Sequence, residues 1–207
     1  ALFIHRATIF DHTLATATEV VLGLVIGTIL GTVTAVQLAL FRTAERLILP
    51  ILVFTQAVPV FALAPLLTLW FGYGIGSKIV MTVLIIFFPV TSAFHDGLTR
   101  TDNRFHDLAH AMGARKVRFM WHVQIPSALP DLGTGLKLAA VYAPIGAVIG
   151  EWVGASKGLG YLMLLANGRA KIDLMFASLI VLACLTVLLH IVVGRLALWL
   201  TRYAQGK

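Results

Sequence analysis

The chain has 207 residues, of which 59% are hydrophobic and only 12% charged, and its mean hydropathy is +0.92. Soluble domains carry roughly 25% charged residues, so the composition excludes an ordinary water-soluble domain and indicates an integral membrane protein. The formal charge of +7 does not indicate nucleic-acid binding, because the basic residues fall between apolar runs, where membrane topology places them.

The opening, ALFIHRATIF, carries neither Met nor a secretory signal. Five apolar runs follow, each long enough to cross roughly 30 Å of hydrocarbon as a helix. None alternates as barrel strands do, so the expected class is all-α, a polytopic helical bundle within a single transmembrane domain, 1–207. The first span runs over 13–41 and contains GLVIGTILG, with Gly23, Gly27 and Gly31 on one face. Glycine at that spacing lets backbones approach closely, either against another span of the same chain or along a dimer seam.

The second span, over 47–71, holds Pro50, Pro59 and Pro65, with Thr55 and Gln56 near its middle. Each proline removes a backbone donor, and unpaired backbone at membrane depth needs protein or a wet cavity around it. The expectation is one kinked helix turned away from lipid. Gln56 then either lines a path or bonds a neighbouring backbone. The following GYGIGSK, Gly72 to Lys78, lacks the order of a phosphate loop and has no strand before it, so it reads as a tight turn.

The third span covers 79–98 and the fourth 132–152; between them lies the polar stretch 99–131. There Phe105, Leu108, Ala109 and Met112 recur at helical spacing, and Gly113 suits a left-handed helix stop. A second short amphipathic helix is expected from Ala114 to Val123, ended by Pro126 and Pro130 before the fourth span. His106 and His110 stand four apart, yet only Asp102 and Asp107 lie near enough in sequence to complete a metal site, so a solvated face is the expectation. Glu151 closes the fourth span, which predicts a position at the outer interface with little burial cost, either anchoring the glycine-rich loop after it, the favoured reading, or facing an external partner. Asp96 and Lys137 are expected to snorkel. The fifth span, 174–199, contains the lone Cys184, which cannot form an internal disulfide.

Orientation follows from Lys and Arg. With 99–131 in the cytoplasm, eleven of the sixteen basic residues face inward, among them Arg42, Arg46, Arg115, Lys116 and Arg118. Arg6, Lys78, Lys157, Arg169 and Lys171 face outward. An odd number of spans then puts the amino terminus outside, which suits a chain whose first helix precedes Ala1. Among enzyme signatures, HExxH, GxSxG and a Cys–His arrangement are all missing. Nor do the spans show the paired polar groups or internal repeats of an ion-driven secondary carrier.

The stretch DLAHAMGARKVRFMWHVQIP carries the spacing Asp107-x-Ala109-x3-Gly113-x9-Val123-x-Ile125-Pro126. It resembles the signature loop of ABC importer permeases, Glu-Ala-Ala, three residues, Gly, nine residues, then Ile-x-Leu-Pro. Both intervals match, with Asp107 for the glutamate and Leu108 for the first alanine. QAVPVFALAPLLTLWFGYG, FFPVTSAFHDGL and GEWVGASKGLGYLM, the last through Glu151, Gly154, Gly158, Leu159 and Gly160, resemble the branch serving nitrate, taurine, alkanesulfonates and thiamine precursors. From Gln56 to Asp102 the likeness is to permeases for hydroxymethylpyrimidine. The resemblance implies an inner-membrane subunit, usually with six spans, working as a homodimer on two cytoplasmic ATPase subunits that bind ATP and Mg. An extracytoplasmic binding protein delivers the solute. Asp107, Ala109 and Gly113 shape the docking helix, with Arg115 facing the ATPase groove, and the chain itself holds no cofactor.

Overall fold

The computed structural model describes residues 5–204, apart from the side chains of Asn103 and His106; the His106–His110 pair therefore lies partly outside the described residues. Within that range all regular structure is helical. The chain runs α1 (Arg6–Leu40), α2 (Arg42–Ala57), α3 (Val60–Phe71), α4 (Ile75–Thr99) and α5 (Asn103–Ala111). There follow α6 (Lys116–Phe119), a π turn (Met120–Gln124), α7 (Ile125–Gly154), α8 (Leu159–Gly168) and α9 (Ile172–Ala204). Among the described residues, four helical runs are long and apolar enough to cross a membrane, and α2 with α3 makes a fifth if the bent pair is one span.

The core is built by α1, α4 and α7. The Gly23, Gly27 and Gly31 stripe meets α4: a Cβ there would stand 2.5 Å from Thr82 Cγ2, 2.6 Å from Ile86 Cδ1 and 3.0 Å from Val90 Cγ1. The stripe is therefore a seam within this chain. On the facing side of α4, a Cβ at Gly146 would lie 2.7 Å from Thr82 Cα. Without a hydrophobic drive inside lipid, such close approach supplies the dispersion contact that holds helices together. Val20, Leu24, Val90, Phe94, Leu136 and Ala140 fill the remaining space. By contrast α9 leaves Val187, Leu188, Val192 and Leu196 exposed, as expected of a lipid-facing span, and Cys184 is exposed beside them.

Two expectations about proline are corrected. The second span is not one kinked helix: α2 and α3 diverge by 100°. Val58 is extended (φ −83°, ψ 121°), as the residue before a proline prefers, and Pro59 begins α3 without a backbone donor. Pro50 and Pro65 are carried inside helices. Conversely, Pro126 and Pro130 do not end a helix, since Lys116–Gly154 is one continuous 39-residue run. The π turn just before Pro126 widens the ring and shifts the hydrogen-bond pairing there, while Pro130 is carried inside α7.

The GYGIGSK stretch does turn tightly, with Gly72 at φ +77°. But α4 already starts at Ile75, so Lys78 belongs to its first turn and is buried rather than lying in an outer loop.

Candidate functional site

The polar interruption gathers the ends of three elements. Asp102 caps α5, its side chain accepting from the Arg104 backbone N–H at 2.9 Å. The helix stops at Gly113, whose φ of +66° is left-handed. There Gly113 N–H donates to His110 O at 3.0 Å and Ala114 N–H to Ala109 O at 2.9 Å, the paired closure of a Schellman end. Phe105, Leu108 and Met112 project from α5 with more than half of each surface exposed. With Gly113, His122 and half-buried Val123 they border a groove of about 300 Å³. Asp107 and Arg115 are exposed, while Ala109, Ile125 and Pro126 are half-buried.

This segment is tied to the spans behind it. Lys116 Nζ donates to the Leu40 carbonyl at the end of α1. Gln124 Nε2 donates to the Leu98 carbonyl near the end of α4 at 3.1 Å. Both carbonyls belong to helix ends, which lack intrahelical donors. A polar cavity of about 540 Å³ lies behind α5, lined among others by Arg42, Glu45, His110, Lys116 and Gln124.

The opposite end of the bundle holds a second constellation, and here the expected low burial of Glu151 is corrected. It is 1% exposed. Its Oε1 accepts from Thr16 Oγ1 at 2.6 Å, and its Oε2 from the backbone N–H of Gly160 at 2.5 Å and of Tyr161 at 3.4 Å. Thr16 Oγ1 in turn accepts from Leu159 N–H at 2.8 Å, and His12 Nδ1 accepts from Gly158 N–H at 2.9 Å. The glycine-rich loop is thus fastened to α1 and α7. A Cβ at Gly158 would run into the Glu151 carboxylate, and Gly158 also has φ +120°; at Gly160 it would lie 2.8 Å from Glu151 Oε2. Gly154 admits Thr68 of α3 as closely, at 2.7 Å.

Next to this cluster, Lys78 Nζ lies 3.3 Å from Glu19 Oε1, both side chains almost wholly buried. The expectation that the spans lack polar pairs at depth is therefore wrong: Glu19 and Lys78 pair across α1 and α4. Sequence reasoning missed His12, Thr16, Glu19 and Lys78. An acidic residue inside the first apolar run was the available signal, because ionisable residues in spans are normally partnered.

Gln56, Pro59 and Pro65 stand apart from both constellations and are exposed. Gln56 lines a mainly apolar cleft of about 320 Å³ at the α2–α3 bend, with Leu52, Val58, Leu63, Leu84 and Phe87. Asp96 is exposed and Lys137 half-buried. Among the described residues no group of three His, Cys, Asp or Glu is placed to hold a metal ion.

Comparison with known proteins adds the following. The family described as binding-protein-dependent transport system inner membrane component matches residues 23–204. A probable ABC transporter permease of Haemophilus influenzae is 50% identical over 189 residues, 91% of this chain and 77% of its own length. The formylaminopyrimidine transport permease ThiX of Halalkalibacterium halodurans is 43% identical over 152 residues, 73% of this chain and 61% of its own length. The taurine transport permease TauC of Escherichia coli is 30% identical over 185 residues, 89% of this chain and 67% of its own. In fold, the inward-facing MetNI methionine ABC transporter superposes with a TM-score of 0.73 over 97% of this chain and 98% of the matched chain, at 20% identity.

Proposed function

The chain belongs to the family of binding-protein-dependent transport system inner membrane components, as a multi-pass ABC importer permease, and we propose that it works as a homodimer driven by two cytoplasmic ATPase subunits. Those subunits bind ATP and Mg; an extracytoplasmic binding protein presents the solute. The observation that carries the reading is the apolar face of α5, Phe105, Leu108 and Met112, left uncovered by its own chain. It sits on a segment hydrogen-bonded to the ends of α1 and α4. A partner seated on α5 would therefore pull on two spans at once. In this scheme Asp107, Ala109, Gly113 and Arg115 form the docking elbow, and Val123, Ile125 and Pro126 join it to α7. Gln56, Pro59 and Pro65 border the solute path at the bend, while Glu151, Gly154, Gly158 and Gly160 build its outer end.

For the solute we propose a thiamine precursor such as hydroxymethylpyrimidine. The 43% identity to a formylaminopyrimidine permease favours it over the taurine relative at 30%. The test is uptake of labelled hydroxymethylpyrimidine into vesicles holding the permease, its ATPase subunits and the external receptor. Uptake should require ATP. Accumulation by the permease alone would refute the ATPase scheme, and preferential uptake of taurine, a sulfonate or nitrate would reassign the solute.

A further inference from the structure

The buried charges of the spans form a connected device. A helix start leaves its first four N–H groups without intrahelical partners, and Gly158, at the head of α8, has no side chain with which to cap them. In this protein other helices do so: His12 takes Gly158, Thr16 takes Leu159, and Glu151 takes Gly160 and Tyr161. A carboxylate at a helix N-terminus is also favoured by the helix dipole. Glu151 thus belongs to α8 electrostatically and to α7 covalently.

Behind it, the stem of Lys78 lies against Gly150, where a Cβ would come within 3.0 Å of Lys78 Cγ, one residue before Glu151. The Lys78 ammonium reaches Glu19 on α1. Two buried carboxylates and one buried ammonium are therefore arranged so that Lys78 answers Glu19 and the α8 N-terminus answers Glu151. If Lys78 were neutral, Glu19 would have no counter-ion, and two acidic groups would stand buried around the α8 start.

We propose that Glu19 and Lys78 are positioning residues which, through Glu151, fix α8 to the α1–α4–α7 body at the outer end. The outer helix then travels with that body through the transport cycle. Relative movement is taken up at the α2–α3 bend, where α2 buries only Leu52. This inference rests on the permease reading for its cycle, but the fastening itself does not.

The test uses the complete transporter with Cys184→Ser and spin labels at the exposed positions Leu14→Cys on α1 and Leu164→Cys on α8. With labelled subunits diluted among unlabelled ones, the expected result is a single narrow distance distribution within the subunit, unchanged by ATP. Lys78→Met should broaden it, and Glu19→Gln with Lys78→Met should narrow it again, because the unanswered charge is removed together with its partner. A second label pair, Ile51→Cys on α2 and Ile145→Cys on α7, both exposed, should shift with ATP. A narrow distribution in Lys78→Met, no recovery in the double variant, or an ATP-dependent shift between Leu14 and Leu164 would overturn the proposal. Should Lys78→Met fail to assemble, recovered assembly in the double variant supports it, and equal loss in both overturns it. If ATP moves neither pair, it is the ATPase scheme that fails, and the variant series still decides the fastening.

Discussion

Substituting Gly113 isolates the conformational demand of the elbow from its packing. Among the described residues, no atom beyond its chain neighbours lies within 4 Å of a Cβ built there, so a side chain meets no obstacle among them. What it meets is φ of +66°, a left-handed backbone that costs an L-residue about 1–2 kcal/mol. That cost corresponds to about a 5- to 30-fold loss in the population of the closed turn. The loss is local, because no α5 residue among those described is buried in the bundle. Gly113→Ala should therefore leave the melting temperature of the detergent-solubilised permease unchanged while lowering solute transported per ATP hydrolysed by a similar factor. Gly113→Asn, which visits this region more readily, should lose less, and Gly113→Trp should lose most by also blocking approach of the ATPase. Parallel uptake and phosphate-release measurements on the same vesicles give the ratio. An unchanged ratio in Gly113→Trp would refute both the turn argument and the docking role.

Other expectations concern the bundle. Gly146→Leu must displace the Thr82 backbone and should cost about 1–3 kcal/mol or more, read as a lower melting temperature; Gly168→Leu, with open space around it, serves as the unaffected control. Thr16→Val removes the hydroxyl shared by Leu159 N–H and Glu151, leaving buried groups unpaired at about 1–3 kcal/mol. Thr13→Val, whose hydroxyl only bonds Ile9 O within its own helix, should change little in the same thermal-shift assay. Gln124→Leu cuts the tie from this segment to the Leu98 carbonyl, which keeps the Thr101 hydroxyl as a donor, and should reduce transport per ATP more than it reduces stability.

Features governed by local geometry were legible from spacing. Gly113 does stop α5 in a left-handed turn, and the glycine stripe of α1 marks a close seam, although spacing alone left open whether the seam lay within the chain or between copies. Features governed by a partner were not legible. Nothing near Lys78 in sequence indicates that α4 begins three residues earlier, or that Glu19, on a different helix, receives its charge. Glu151 looked little buried because its place was counted along one helix, whereas Thr16 and the start of α8 cover it from the side. Pro126 and Pro130 looked like terminators because proline disfavours a regular α-helix; a π turn precedes Pro126 and leaves no mark in apolar periodicity, and Pro130 is carried inside α7.

That turn also sets an angle. Each residue of an α-helix advances the azimuth by about 100°, so the register of Met120–Gln124 determines which way α5 points around the axis of α7. Deleting a single residue there would swing the elbow by roughly a quarter of a revolution or more, with every side chain proposed to meet the ATPase still intact. Aim, in this permease, is written in residue number, and a length variant at 120–124 would miss the proposed motor while keeping all its teeth.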